Sequence, residues 1–242
     1  MVLTIHHLGV SQSDRILWLC EELHLDYKLV THTRAPNLAP ASLKSLPGNA
    51  SGKAPFMEDP DAGVTLSESG AIAEYIIHRY GSGQLSVGPD AHPKAYAEFL
   101  KWFHFSNATL QPAMVNCMML DGAGVSPEDG MKKFADGRLT EALQQLDDRL
   151  GVSQWVAGAE LTVADIMTVY CLTTQRYFGP LISLKPYGNV LRFLQDCAKR
   201  EAFQRALEKG DPEMEPLIGA EAPGKSFMEA GGAERDIWKG KK

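Results

Sequence analysis

No two cysteines in this chain fall at the spacing of a Cys-x-x-Cys motif. The four (Cys20, Cys117, Cys171 and Cys197) lie far apart, each in an apolar, helix-like stretch. That pattern excludes a zinc ribbon or a dithiol redox centre, predicts no metal site, and fits buried free thiols in a reducing, cytoplasmic setting. Long apolar runs are also missing. None approaches the roughly 20 residues needed to cross a bilayer. Met1 to His7 carries no basic segment followed by an apolar one, so it reads as a first β-strand rather than a signal peptide. Positive charge is in deficit, with 24 Lys and Arg against 30 Asp and Glu and a net charge of −6. The basic end, Lys239-Gly240-Lys241-Lys242, is too short to change that balance, so nucleic acid and anionic membrane are excluded as main partners. What remains is 242 residues that are 44% hydrophobic and 22% charged, enough for one large domain or two modest ones.

The two halves obey different periodicities. Leu3 to His7 reads as a strand, Ile16, Leu19, Cys20 and Leu23 recur at helical spacing, and Tyr27 to Thr31 reads as a second strand. This is a βαβ unit with a right-handed crossover expected. After a loop-rich segment, Pro55-Phe56-Met57 and Val64-Thr65-Leu66 form short strands around the turn-rich Glu58 to Gly63. A helix carrying Ile72, Ile76 and Tyr80 on one face follows, and Gly81 stops it. The Gly- and Ser-rich stretch from Ser82 to Asp90 marks a boundary. From Pro93 the strand signals disappear, and a long helix runs to about Leu120 with a bend expected near Pro112. Leu139, Leu143, Leu146 and Leu150 form a core stripe, and Tyr187, Val190, Leu191 and Leu194 another. The expected division is 1–82, 92–210, and a tail at 211–242. The tail is extended or partly mobile, and its Phe227, Ile237 and Trp238 are able to dock on the body.

Four local patterns stand out. Ser11-Gln12-Ser13-Asp14-Arg15 joins the first strand to the first helix, Gly52-Lys53-Ala54-Pro55 precedes a strand, and Glu68-Ser69 opens a helix. Each has an ordinary reading. Ser11-x-x-Asp14 is a variant capping box, Lys53 a solvated loop lysine, and Ser69 a helix N-cap. The fourth pattern, Leu161-Thr162-Val163-Ala164-Asp165-Ile166, is an N-capping box in which Thr162 and Asp165 bond each other's amides and Leu161 and Ile166 form a staple. It is structural rather than catalytic.

In this order the patterns resemble the cytosolic glutathione transferase family. The resemblance spans about residues 2–208, and residues His6 to Leu19 read much like the first helix of a fungal and bacterial serine-type branch. It implies an α/β, thioredoxin-like N-terminal domain that binds glutathione, followed by an all-α C-terminal domain. It also implies that Ser11, with Ser13 in reserve, donates to the glutathione sulfur. Lowering a thiol pKa from about 8.5 to about 6.5 requires roughly 2.7 kcal/mol of preference for the anion. A hydroxyl hydrogen bond and a helix N-terminus can supply much of that. The absence of cysteine at positions 11 and 13 counts against branches that form mixed disulfides with glutathione. By the same resemblance Pro55 is cis, Ala54 offers its backbone to the peptide as a strand would, and Lys53 faces the glycyl carboxylate. Glu68 and Ser69 grip the γ-glutamyl end.

The second, hydrophobic and electrophilic substrate is expected between the domains, along Phe103, His104, Asn107, Leu110, Gln111 and Met114. Phe103, Asn107, Leu110 and Met114 are expected on one helical face. His104 is a candidate general acid or electrostatic guide, though a satisfied structural histidine is the stronger reading. A homodimer is implied, with Tyr75, Arg79, Tyr96 and Phe99 as contacts. The reaction expected is detoxifying conjugation. The alternatives are a glutathione-dependent isomerase or biosynthetic step in secondary metabolism, and a non-catalytic, glutathione-gated binding or regulatory protein.

Overall fold

The computed structural model describes residues 2–35, 38–232 and 239–240, so Ile237 and Trp238 lie outside the described residues. The chain forms two compact units. One comprises Met1–Gln84, Ala198–Glu215 and Met228–Lys242, the other Leu85–Cys197 and Pro216–Phe227.

The first unit is built on a sheet of order β2-β1-β3-β4. Strand β1 (Leu3–Leu8) is apolar or enclosed on both faces, and all six of its residues are buried, as a central strand requires. It pairs in parallel with β2 (Tyr27–His32) through α1 (Asp14–Glu22), and antiparallel with β3 (Phe56–Asp59). The edge strand β4 (Val64–Ser67) returns antiparallel to β3 and leads into α3 (Ser69–Arg79). The loop-rich segment contains a one-turn helix, α2 (Ala41–Lys44), which its low periodicity did not reveal. Ile16, Leu17 and Leu19 of α1 and Ile72 and Ile76 of α3 are fully buried.

A further helix, α9 (Glu201–Gly210), packs on α1 within this unit. The division at residue 210 read from the sequence placed this segment with the helical half. The physical reason for the difference lies in charges that α1 presents on its buried side. Glu21, only 6% exposed, accepts from Arg205 Nε at 3.1 Å, from Tyr27 Oη at 2.8 Å and from Lys209 Nζ. Glu22 takes a bidentate pair from Arg200 at 2.6 and 2.8 Å. Burial raises the Glu21 pKa, but Lys209, Tyr27 and Arg205 outweigh it and hold the carboxyl below its ordinary value. Beside them Trp18 meets Phe203 edge-on, with centroids 5.1 Å apart.

In the second unit the chain remains helical from α4 (Pro93–Phe105) through a π-turn (Ser106–Leu110) into α5 (Gln111–Gly122). The expected bend near Pro112 takes this form for a reason. Proline has no N–H to donate, and its ring crowds the carbonyl four residues back, a conflict that a wider turn relieves. The remaining elements are α6 (Gly130–Val152), α7 (Val163–Leu172), a 3-10 turn (Thr174–Tyr177) and α8 (Gly188–Ala198). Leu139, Leu143, Leu146 and Leu150 are buried as expected, as are Tyr187, Val190 and Leu194, while Leu191 is half-buried. The capping box of α7 forms. Asp165 Oδ2 accepts from Thr162 N at 2.8 Å and Thr162 Oγ1 at 3.1 Å, and Oδ1 takes Val156 N at 2.7 Å.

Among the described residues, the segment after Asp211 is neither unanchored nor uniformly extended. Its Pro216–Phe227 part belongs to the second unit, where fully buried Arg176 donates to the carbonyls of Leu217, Gly219 and Ala220 at 3.3, 3.0 and 2.7 Å. Phe227 is fully buried and lies 5.0 Å from Phe178, ring to ring. Proline and glycine removed the periodicity of this stretch without removing its anchors, which are backbone carbonyls that no hydropathy pattern can display.

Candidate active site

The sheet register gathers three loops at one end. His6 of β1 lies beside Phe56 of β3, and Phe56 lies beside Ser67 of β4. The loop carrying Ser11 leaves β1 two residues after His6, Pro55 immediately precedes Phe56, and Glu68 immediately follows Ser67. Thus Ser11, Pro55 and Glu68 emerge from adjacent strands at the same edge, within a few residues of one row. The Ala54–Pro55 bond is cis, as expected. Ala54 and Pro55 are buried, and Lys53 is exposed.

Neither serine hydroxyl caps an amide of the first turn of α1. The N-cap residue of α1 is Ser13, and Ser11 Oγ accepts the Ser13 backbone N–H at 3.3 Å. The two hydroxyls instead lie 2.7 Å apart. Ser13 Oγ lies 2.9 Å from His7 Nδ1 and accepts Leu8 N–H at 3.2 Å. Ser11 is 7% exposed and Ser13 fully buried, so Ser11 is the outer hydroxyl of the pair.

The expected N-cap role of Ser69 is corrected. Glu68 is the N-cap residue, in a left-handed backbone conformation with φ 72°, and α3 begins at Ser69. The Ser69 hydroxyl accepts from Arg15 Nη1 at 3.3 Å, and the same nitrogen donates to Gln12 Oε1 at 3.2 Å. Arg15 is only 1% exposed and ties the first turn of α1 to that of α3. Glu68 itself is exposed.

Sequence reasoning did not find three of the groups that shape this edge. His7 sits on β1 behind Ser13. Asp211, just after α9, accepts Val10 N–H with both carboxylate oxygens at 3.1 Å. Arg34 donates to the carbonyls of Gly9 and Val10 at 2.9 and 2.7 Å. The backbone between Leu8 and Ser11 is therefore held from both sides. The linear pattern singled out none of the three: His7 shares its strand with the equally polar Thr4 and His6.

The six residues expected to face the second substrate are divided. Phe103, Leu110 and Met114 are buried, Gln111 is half-buried, and His104 and Asn107 are exposed. The π-turn changes the angular step between Phe103 and Leu110, so an ideal helical wheel does not describe this segment. None of the six lines the open groove of about 510 Å³ along α5 and α6, whose lining includes Asn116, Met119, Met131, Phe134 and Arg138. Of the expected dimer contacts, Phe99 is buried and stacked on Phe103, and Tyr75 donates to Asp59 at 2.6 Å.

These features define a two-unit protein with a serine-bearing loop at the end of a thioredoxin-like sheet. Comparison with known proteins gives the same class. Residues 6–85 match the glutathione S-transferase N-terminal domain and residues 113–210 the glutathione S-transferase C-terminal domain. The chain is 31% identical over 222 residues to Glutathione S-transferase 3 of Schizosaccharomyces pombe, covering 86% of this chain and 88% of that protein. A solved glutathione S-transferase from Actinobacillus pleuropneumoniae superposes with a TM-score of 0.75 at 25% identity, covering 86% and 93% of the two chains. A probable elongation factor 1-gamma of Arabidopsis thaliana is 26% identical over 249 residues, 92% of this chain and 58% of that protein. The chain belongs to the glutathione S-transferase family, and is an enzyme of that class with glutathione as its co-substrate.

Proposed function

We propose that the protein activates glutathione as a thiolate beside Ser11 and conjugates it to hydrophobic electrophiles, in the cytoplasm and in a detoxifying role. The observation that carries this reading is the convergence of Ser11, the cis Ala54–Pro55 turn and the Glu68–Ser69 turn on one end of the sheet. An extended tripeptide laid across that end of the sheet meets a hydroxyl at its cysteine, the backbone of Ala54 ahead of β3, and Glu68 with Ser69 at its γ-glutamyl end. Lys53, exposed beside the turn, suits the glycyl carboxylate. The second-substrate wall in this reading comprises Phe103, His104, Asn107, Leu110, Gln111 and Met114. Of these, the exposed His104 and Asn107 are the groups that solvent reaches directly. A homodimer belongs to the same reading, with Tyr75, Arg79 and Tyr96 at its surface, and sedimentation mass tests it.

Ser11→Ala is the deciding variant. Turnover with an aryl halide electrophile is expected to fall about 10²-fold, the range for loss of a donor to a developing anion, while glutathione affinity changes little. Equal turnover in the variant removes Ser11 from the mechanism. A second reading, a non-catalytic glutathione-gated protein, draws on the elongation factor relative. Ultraviolet difference absorption separates the two: no thiolate band from bound glutathione at neutral pH favours the binding protein.

A further inference from the structure

We infer that Ser11, Ser13 and His7 form a relay that carries the thiol proton of glutathione to His7 Nδ1, with Asp211 holding the resulting imidazolium. This inference rests on the proposed binding of glutathione beside Ser11. The chain of groups is continuous: Ser11 Oγ to Ser13 Oγ is 2.7 Å, Ser13 Oγ to His7 Nδ1 is 2.9 Å, and His7 Nε2 to Asp211 Oδ2 is 3.2 Å. The last contact is at ion-pair distance but not aligned as a hydrogen bond. All four groups are buried, none more than 7% exposed. The approach of Asp211 and His7 is built into the backbone. A Cβ on Gly9 would stand 3.0 Å from Asp211 Oδ1, and one on Gly210 would stand 3.2 Å from His7 Cε1 and Nε2.

The direction of each hydrogen bond follows from counting donors and acceptors. The Asp211 carboxylate favours the tautomer with the His7 proton on Nε2, which leaves Nδ1 as an acceptor for the Ser13 hydroxyl. Ser13 Oγ then accepts Leu8 N–H and the Ser11 hydroxyl. Ser11 Oγ accepts Ser13 N–H at 3.3 Å and keeps one lone pair. That lone pair is the acceptor for S–H. In the transfer, the sulfur's proton passes to Ser11 Oγ as the S–H bond breaks. The Ser11 proton passes to Ser13 Oγ, and the Ser13 proton to His7 Nδ1. One proton leaves sulfur, one arrives on imidazole, and both serines stay neutral. Every bond now runs the other way: Nδ1–H donates to Ser13, Ser13 to Ser11, and Ser11 to the thiolate. No lone pair is stranded in either direction. The competing orientation, Ser13 Oγ donating to Leu8 O, is longer at 3.4 Å.

Asp211 enters from the end of α9, the Ser13 hydroxyl from the loop before α1, and His32 of β2 stands in register with Leu8, the residue after His7. The only anion among these is Asp211, which is the charge an imidazolium at position 7 requires. His7 acts through the serines and does not reach the sulfur, so it is a positioning and proton-holding residue rather than a catalytic one.

The test is the imidazole nitrogen spectrum of the full chain near neutral pH: free, saturated with glutathione, and saturated with S-methylglutathione, with calorimetry following binding. His7→Gln identifies the His7 signals. The expected result is a neutral His7 in the free protein and a doubly protonated one with glutathione. S-methylglutathione, which has no thiol proton, should bind and leave His7 neutral. Asp211→Asn keeps an acceptor for Val10 and should raise the pKa of bound thiol, lowering the thiolate fraction about 10-fold with little change in glutathione affinity. A thiolate band with His7 still neutral overturns the relay and leaves the proposed function standing, as does a His7 already protonated in the free protein. Failure of both peptides to bind overturns the proposed function and the relay with it. Should Asp211→Asn not fold, the wild-type spectra decide alone.

Discussion

The same substitution, glycine to alanine, is expected to have opposite signs in two helices of this protein. Gly137 lies exposed in the middle of α6, and a Cβ there meets nothing within 4 Å. Gly137→Ala should therefore stabilise by about 0.5–1 kcal/mol, from lower unfolded-state entropy and better helix propensity. Gly210 closes α9, and a Cβ there would stand 2.7 Å from Leu17 Cδ2 and 3.2 Å from His7 Nε2. Leu17 and His7 are both fully buried, so neither has room to retreat without disturbing β1 or α1. Overpacking of this kind costs about 1–3 kcal/mol, which exceeds the propensity gain of about 1 kcal/mol at most near a helix end. The expected net effect is a loss of about 1–2 kcal/mol, or a melting temperature lower by about 2–8 °C, against a small rise for Gly137→Ala. Thermal melts followed by far-ultraviolet circular dichroism, on wild type and both variants at one protein concentration, give the comparison. Should Gly210→Ala prove neutral or stabilising, the contact between the end of α9 and His7 is looser than argued, and the packing basis of the site fails there.

Asp165→Ala leaves three buried donors, Val156 N, Thr162 N and Thr162 Oγ1, without their acceptor. It should cost about 3 kcal/mol or more by denaturant unfolding without altering the glutathione site. Glu21 has a folded pKa below its ordinary value, so its contribution is complete above the unfolded pKa of about 4.3 and is lost as pH falls through the folded value. Glu21→Gln should flatten the wild-type loss of stability on acidification, and an unchanged acid limb in the variant argues against the α1–α9 ion cluster. All four cysteines are free and buried, and burial pushes the Cys117 thiol up to about 12, so a thiol-directed disulfide reagent should label the native chain slowly and the unfolded chain fully. Rapid labelling of the native protein would contradict that burial.

Local chemistry made much of the fold legible. Alternation and apolar runs marked β1, β2 and β3, and the 3.6-residue period marked α1, α3 and the Leu139–Leu150 stripe. Thr162 and Asp165 announced their helix because a capping box is complete within four residues. Pro112 announced a disturbance but not its form, since proline removes a donor without dictating which wider or tighter turn absorbs the loss. The site divides in the same way. The turns at Pro55 and Glu68–Ser69 are written in adjacent residues. The partners that fix them are not: Arg15 reaches a hydroxyl 54 positions away, and Asp211 reaches an amide 201 positions away. Nothing in a linear pattern joins those pairs, because the contact is created by packing α1 against α3 and α9.

Two residues at the candidate site adopt left-handed backbone conformations that side-chain-bearing residues avoid, Val10 at φ 51° and Glu68 at φ 72°. For β-branched Val10 such a conformation costs on the order of 1–3 kcal/mol and persists only where surrounding contacts over-determine it. Those contacts are present: Asp211 takes the Val10 amide, and Arg34 takes the carbonyls on either side of it. The next residue, Ser11, places its hydroxyl 2.7 Å from the Ser13 hydroxyl and accepts the Ser13 N–H at 3.3 Å. In the proposed function this hydroxyl is the donor to the bound sulfur. The Val10 backbone beside it is held by a carboxylate from the end of α9, so the conformation of this loop is tied to the packing of α9 on α1.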